Sequence, residues 1–396
     1  MTDIEKNNLY RKLKDDIEAL REPVYGYIRA GFPNFPALFG RDSCIISWQL
    51  GDYDHAIQFD TLRALANLQG RETNNEREEE PGKIIHEWHP NPAEYKKLSW
   101  PMPYYGSVDS TALFIFLCRL YYDKSGDKTW LQAIWPNIVR GLEWCETYGD
   151  PDRDMFLEYE RKNPEGLIHQ GWKDSNLLVS PPIKAIEAQG YYYLALHSAA
   201  DMAEALGKSE MRDAWRARAA SLKQAFFEKF WLVDREMFVF AFDGKGNPDM
   251  RIMSNPGHLL FTGILDGEKE KTDLLVRQLF APDMWTSFGI RTHSTANNDF
   301  DHMDYHRGSI WPHDNWIIAQ GLRRMGYLEE YAKVKNALYD AQKQLGKIPE
   351  LFAVTREGEL REIPEACSPQ GWATGALMNF IVEDRKLAEI KPLPAV

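Results

Sequence analysis

The sequence predicts an all-α fold, a ring of six helical hairpins, and three observations predict it. Twelve segments carry the 3.6-residue period of an amphipathic or fully buried helix. The links between them alternate between very short and long. Every second helix is apolar or small on nearly all sides, as at Thr111 to Cys118, Gly190 to Ala200 and Ile317 to Gly321. A link of a few residues forces its two helices to be antiparallel neighbours. Alternating links then put all the long loops at one end. Six pairs closing in a ring form a six-hairpin toroid, an (α/α)6 barrel. Its inner helices are covered on both sides, which explains their apolarity.

In chain order, residues 3–20 place Ile4, Leu9, Leu13, Ile17 and Leu20 on one side of a helix. A loop of aromatics and prolines follows, from Tyr25 to Phe39. Helices over 42–50 and 54–69 are separated only by Gly51, Asp52 and Tyr53. A long polar and aromatic loop, 71–106, leads to helices over 108–123 and 128–147. The next long loop, 148–182, opens with a strand-like segment from Met155 to Tyr159. Helices over 183–206 and 209–231 share the link Gly207 and Lys208. Residues 232–255 read as a hairpin turning at Asp243 to Gly246. Short helices near 257–265 and 268–280 precede the loop 281–307. Helices near 309–325 and 328–345 meet at Gly326 and Tyr327, and loop 346–367 leads to a last helix over 368–384. Asp42, Asp109, Ser309 and Ser368 read as N-caps, and Pro312 and Pro369 suit a first helical turn. No repeat of 20–50 residues is visible, which disfavours a regular solenoid. The expectation is one catalytic domain over residues 1–396, with small β-hairpins in its loops.

Composition excludes several classes. The 396 residues are 44% hydrophobic and 27% charged, ordinary for a globular chain long enough to bury a large core. A net charge of −12 argues against a non-specific nucleic-acid binder. No apolar run is long enough to span a membrane, and the charged amphipathic N-terminus is no signal peptide. Cys44, Cys118, Cys145 and Cys367 form no CxxC pair, so neither a zinc site nor a disulfide framework is expected. The expected setting is reducing and cytoplasmic. Aromatics reach 13%, with 13 Trp, enough to supply stacking surfaces for sugar rings as well as core.

The long loops carry the chemistry. The loop Gly166 to Ser175 sets Trp172, Lys173 and Asp174 side by side just before the third inner helix. Corresponding stretches lie at Phe39 to Ser43, Arg77 to Glu87, Tyr104 to Asp109, Ser254 to His258, Tyr305 to Asp314, Ile348 to Phe352 and Pro364 to Trp372. Six loop ends thus bring carboxylates, imidazoles, Arg and Trp to one central hollow. Glycoside hydrolysis needs one carboxyl to protonate the leaving oxygen. A second activates water from the opposite face in an inverting enzyme, across roughly 6.5–9.5 Å. Asp174 and Glu350 sit on the third and sixth loops, opposite sides of a six-fold ring, a wide separation that favours inversion. Trp172 can exclude water and raise the Asp174 pKa. Glu365 shares the sixth loop and is the rival base. Arg41 and Asp42 suit hydrogen bonds to vicinal hydroxyls, with a structural ion pair as the alternative. Tyr105, Asp109, Trp172, Lys173 and Glu187 complete one half of the substrate-binding set. Trp311, His313, Asp314, Glu365 and Trp372 complete the other. Glu78, Glu79 and Glu80 read as a solvated charge run. His86 and His89, three apart in a loop flanked by Pro and Gly, are a weak metal signal; no metal and no cofactor is expected. The expected partner is an oligosaccharide or small glycoside, with no nucleic acid and no membrane.

Phe39-Gly-Arg-Asp-Ser43, Arg77-Glu-Glu-Glu-Pro-Gly-Lys83, Tyr105-Gly-Ser-Val-Asp109, Gln170-Gly-Trp-Lys-Asp-Ser175, Trp311-Pro-His-Asp314, Pro349-Glu-Leu-Phe352 and Ala366-Cys-Ser-Pro-Gln370 stand in register along the chain. Together they resemble the amylo-α-1,6-glucosidase family, the C-terminal glucosidase domain of glycogen debranching enzymes, from about residue 25 to 384. That family and its relatives in glycoside hydrolase families 15 and 63 imply an (α/α)6 barrel and an inverting mechanism. They also imply a general acid at Asp174 and a base at Glu350. Debranching enzymes usually carry an N-terminal β-rich or transferase domain, whereas this chain begins almost at the barrel, which leaves room for small glucosides. Glu365 stands where the family leads us to expect a neutral residue. The expected activity is that of an inverting, exo-acting α-glycosidase releasing terminal glucose. The alternatives are a hydrolase of small glucosides or glycosylglycerate-type compounds, a sugar epimerase or isomerase using His258, His306 and His313, and a glycan-binding module.

Overall fold

Leu9, Leu13, Ile17 and Leu20 form the buried face of the first helix, α1 (Asp3–Leu20), as their period requires. Ile4, one turn earlier, is 75% exposed, so the apolar stripe starts at Leu9. Thr2 and Glu5 cap the helix reciprocally. The computed structural model describes residues 1–91, 100–175, 177 and 179–390. Its remaining helices are α2 (Gly40–Leu50), α3 (Ala56–Asn67), α4 (Ser110–Ser125), α5 (Lys128–Thr147) and α6 (Ile186–Ala205). They continue with α7 (Ser209–Phe230), α8 (Leu259–Thr262), α9 (Lys269–Leu279), α10 (Pro312–Arg324), α11 (Leu328–Leu345) and α12 (Gly371–Ile390).

The even-numbered helices pack each against the next, and α12 returns to α2, so they close an inner ring of six. Helices α3, α5, α7 and α11 lie outside, each against its preceding inner helix, and α1 packs on α12 to complete the sixth pair. The architecture is an (α/α)6 barrel. Burial separates the two rings. Ten of the eleven residues of α2 are buried, against five of the 22 in α7. Inner helices must also approach closely. A Cβ on Gly321 of α10 would lie 2.4 Å from Leu260 Cβ, and one on Gly190 of α6 would lie 2.8 Å from Leu259 Cδ2. Both contacts are with α8, a single turn preceded by the 3-10 turn Asn255–His258.

Short antiparallel strands decorate the loops. Leu38–Phe39 pairs with Glu87–Trp88, and Phe352–Val354 with Leu360–Glu362. Lys184–Ala185, Ala241–Phe242 and Pro248–Asp249 form a three-stranded patch that includes the hairpin turn at Asp243 to Gly246.

Several local expectations are corrected. Asp42 lies inside the first turn of α2, because the helix begins at Gly40 with Phe39 as its cap residue. Asp109 stands at the N-cap of α4 but makes no capping bond, since Arg41 and Ser107 take its oxygens. Ser309 lies before the start of α10, where Pro312 does open the first turn. Ser368 and Pro369 precede α12, whose first turn is held by Gln370 Oε1 accepting from Ala373 N at 3.0 Å. Met155 to Tyr159 form no strand; only Tyr159 bridges, to Ile183. Glu78 and Glu79 are buried rather than solvated. Glu78 Oε1 accepts from the backbone of Lys162 and Asn163 and so ties two rim loops together, while Glu79 pairs with Arg77 within its own loop. All four cysteines are free and buried. Among the described residues, no helix is long and apolar enough to cross a membrane.

Candidate active site

A cavity opens at the end of the barrel that carries the long loops. Phe35, Phe39, Arg41, Asp42, His86, Glu87, Trp100 and Leu167 line one part of it. Trp172, Asp174, Tyr305, His306, Trp311, Glu350 and Trp372 line the rest. Seven of the residues expected from sequence therefore meet there: Arg41, Asp42, Trp172, Asp174, Trp311, Glu350 and Trp372. Trp311 stands nearly perpendicular to both Trp172 and Trp372, with ring centroids 5.9 and 5.8 Å apart. Such a corner offers both faces and edges to a sugar ring.

Glu350 is fixed from both sides. Tyr305 Oη donates to its Oε1 at 2.6 Å, and Cys367 N donates to its Oε2 at 3.1 Å. Its own N–H donates to Cys367 O at 2.9 Å, which pins the loop before α12 in register. Asp174 is the more open carboxyl, with a side chain 28% exposed. Arg41 Nη2 lies 3.4 Å from Asp174 Oδ2, and Arg41 Nη1 3.3 Å from Asp109 Oδ1. Arg41 is thus a bridge that holds the acid loop to the second rim loop.

Four lining carboxyls share little positive charge. Burial pushes Glu87 up to about 8, Asp42 up to about 7, and Glu350 up to about 7. Asp174 is raised to about 6 by burial, with Arg41 pulling the other way. Burial alone would lower Arg41, but Asp109, Asp42 and Asp174 more than reverse that, so it stays charged. The charge of Asp174 adds to the rise of Glu350. The two donors on Glu350 favour its ionised form, but burial outweighs them. Asp42 Oδ1, Glu87 Oε1, Trp172 Nε1 and Trp372 Nε1 are buried without a hydrogen-bond partner. Unpaired polar atoms on cavity-lining residues are ready contacts for hydroxyls.

The other expected residues lie elsewhere. Tyr105 is packed below the rim, its Oη donating to Leu68 O at 2.7 Å. Asp109 is fully buried and serves Arg41. Lys173 is buried, donating to Thr292 O at 2.6 Å, and burial lowers its pKa to about 7 against the pull of Asp314 and Glu187. Glu187 accepts from Asn255 Nδ2 at 2.9 Å. Asp314 lies 2.7 Å from His258 Nε2. His313 stacks flat on Trp372, 3.7 Å between centroids. These form a polar layer behind the wall rather than the wall itself. Glu365 is exposed and outside the cavity. Of the three histidines, only His306 lines the cavity.

Sequence reasoning passed over Glu87, Trp100, Phe35, Leu167 and Tyr305 as lining residues. Tyr305 had a signal, since it opens the stretch that ends in Asp314. Glu87 likewise closes the rim stretch that begins at Arg77, but the two-residue strand that aims it pairs with Leu38–Phe39 across a long loop.

The model of the mannosylglycerate hydrolase MGH1-like glycoside hydrolase domain matches residues 106–355. The chain belongs to this glycoside hydrolase family. A mannosylglycerate hydrolase of Rubrobacter radiotolerans is 25% identical over 187 residues, 46% of this chain and 40% of that protein. Mannosylglycerate hydrolase MGH1 of Selaginella moellendorffii is 30% identical over 87 residues, 22% of this chain and 17% of its own length. The chain thus aligns with less than half the length of these relatives. The family 63 mannosylglycerate hydrolase of Thermus thermophilus, in complex with glucose, superposes with a TM-score of 0.70 at 15% identity. That match covers 94% of this chain and 99% of that one. The same enzyme with Tris and D-glycerate gives 0.69. The relatives this chain matches in sequence are named mannosylglycerate hydrolases, not debranching glucosidases. The motif resemblance therefore holds for a glycoside hydrolase and not specifically for the amylo-α-1,6-glucosidase family.

Proposed function

We propose that the chain is an inverting, exo-acting glycosidase that removes a terminal α-linked hexose from a small glycoside, with glycosylglycerate-type compounds as the first substrates to try. The observation that carries the reading is the pairing of Asp174 and Glu350 in one cavity, on loops that precede the third and sixth inner helices. Those loops face each other across the ring. A sugar between them has a carboxyl on each side of its scissile bond. In this reading Asp174 gives its proton to the glycosidic oxygen as the C–O bond breaks. Glu350 takes a proton from the water whose oxygen forms the new bond to the anomeric carbon. Trp172, Trp311 and Trp372 wall the sugar and exclude bulk water. The mannosylglycerate hydrolase activity named for the relatives supports glycosylglycerates over branched polymers. Debranching glucosidase activity is the second reading, favoured by the seven motifs in register. We further read residues 1–396 as one catalytic domain, because α1 and α12, the chain's two ends, complete the ring together. Four buried free thiols are in keeping with a reducing, cytoplasmic setting.

The test is incubation of the purified chain with mannosylglycerate, glucosylglycerate, α-linked disaccharides and a branched dextrin, followed by proton NMR of the fresh product. Release of the β-anomer from one of the small glycosides is expected. Release of the α-anomer rules out inversion, and turnover of the dextrin alone favours the second reading.

A further inference from the structure

Outside the cavity, the loop between α5 and α6 begins Asp150-Pro-Asp-Arg-Asp-Met-Phe-Leu-Glu158. Calcium loops of the alternating-aspartate type place oxygen ligands at positions one, three, five, seven and nine, with a sharp turn at position six that glycine usually supplies. Here Asp150, Asp152 and Asp154 fill positions one, three and five, and Glu158 fills position nine. Met155, at position six, has φ +81°, the left-handed region that a side chain rarely adopts. Its N–H donates to Asp150 Oδ2 at 3.0 Å. Asp154 N donates to Asp152 Oδ1, and Phe156 N to Asp154 Oδ1, at 3.3 and 3.2 Å. One carboxylate oxygen from each of the three aspartates lies within 4.8 Å of the others.

A cation already stands among them. Lys184 Nζ lies 2.6 Å from Asp152 Oδ2, 2.6 Å from Asp154 Oδ2 and 3.2 Å from Glu158 Oε2. The lysine is buried, so its ammonium is committed to these acids. Burial would favour the neutral amine, but the bonds to Asp152 and Asp154 more than reverse that. Helix α7 adds two cations, Arg218 Nη2 at 3.2 Å from Asp150 Oδ2 and Lys229 Nζ at 3.0 Å from Asp154 Oδ2. Asp150 Oδ1 is buried on a residue only 2% exposed and has no hydrogen-bond partner, an oxygen still available for a larger cation.

We infer that residues 150–158 form a calcium-type loop whose cation is supplied by the chain itself, the Lys184 ammonium, and that removing this charge turns the loop into a divalent-cation site. The device has a place in the architecture. Tyr159 and Ile183 exchange backbone hydrogen bonds of 3.1 and 2.9 Å at the base of the loop that carries Asp174. Lys184 follows Ile183 directly, and Glu158 precedes Tyr159. The lysine clamp therefore closes the neck of that loop without a metal. The carboxylate oxygens of Asp150, Asp152 and Asp154 are hard donors, which selects calcium over softer ions. Arg161 stands at position twelve, where a bidentate glutamate would tighten binding, so the affinity expected after lysine removal is in the ~10⁻⁴–10⁻³ M range of weak sites.

Lys184→Met and Lys184→Ser, purified beside the wild-type chain, test this by thermal melting in EDTA and in ~10 mM CaCl2, with calcium titration calorimetry. The wild-type midpoint should not respond to calcium. Each variant should melt lower in EDTA, gain about 2 °C or more with calcium, and bind one ion per chain. A variant that folds only with calcium present supports the inference as well. A folded variant blind to calcium overturns it, as does a wild-type chain that binds calcium like the variants. Failure of both variants to fold in either buffer overturns it too, because an oxygen site at saturating calcium would have been refilled.

Discussion

Glu350 and Glu365 share one loop and differ in everything that matters for a base. Glu350 faces the cavity, accepts two hydrogen bonds and is raised to about 7 by burial. Glu365 is exposed. Glu350→Gln and Asp174→Asn are each expected to lower kcat by about 10³-fold while leaving the melting midpoint near wild type, whereas Glu365→Gln should be near neutral. A Glu365→Gln loss of comparable size, with Glu350→Gln active, would reverse the assignment. The pH profile follows from the same pair. Both carboxyls are raised above their ordinary values, from 3.8 to about 6 for Asp174 and from 4.5 to about 7 for Glu350. Below about 6 both carry a proton and the base is lost; above about 7 both are ionised and the acid is lost. Between these values the pair holds its proton chiefly on Glu350, so the productive form, with Asp174 protonated and Glu350 ionised, is the minor one. The kcat/KM profile should therefore be a low bell with its top between these values. Activity still rising at about pH 9 would exclude this pair. From sequence, the residues on the rim were legible because polar and aromatic types cluster at helix starts. Which of them face the cavity was not, since Asp109 and Asp314 carry the same chemistry as Asp42 and Asp174 but sit one layer behind.

Among elements, the inner helices were legible by their apolarity and their links. Their exact starts were not. Burial makes Asp42 a member of α2 rather than its cap, and the Gln370 side chain caps α12 where serine and proline had suggested an earlier start. Close approach is the other hidden property. Helix α8 is one turn long and fits between α6 and α10 because Gly190 and Gly321 have no side chain. Gly321→Ala would set a Cβ 2.4 Å from Leu260 Cβ and 2.9 Å from Phe261 N, the latter an atom that cannot rotate away. An overpacked core contact of this kind costs roughly 1–3 kcal/mol, so a lower urea midpoint is expected for this one added carbon. A midpoint equal to wild type would mean that the ring breathes more than its packing implies.

Across the whole molecule, the outer layer is completed by the chain's first helix packing on its last. Leu9, Leu13, Ile17 and Leu20 of α1 are buried, and Lys6 pairs with Asp384 of α12 at 2.6 Å. Four buried aliphatic side chains contribute about 6–12 kcal/mol, comparable with the ~5–15 kcal/mol net stability of a folded domain. A chain lacking residues 1–20 should therefore lose its near-UV circular dichroism and bind a hydrophobic dye. A cooperative transition at the wild-type midpoint would show that eleven helices suffice. The sequence by itself determined the ring, because periodicity and link length are local properties and a closed ring of hairpins satisfies them. It also determined which loops gather at one end. Only the tertiary structure decided which carboxyl is wall and which is support, that Glu87 joins the cavity, and that Lys184 sits among Asp152, Asp154 and Glu158. Those outcomes depend on burial and on contacts between residues far apart in the chain, and no local pattern encodes the distance between them.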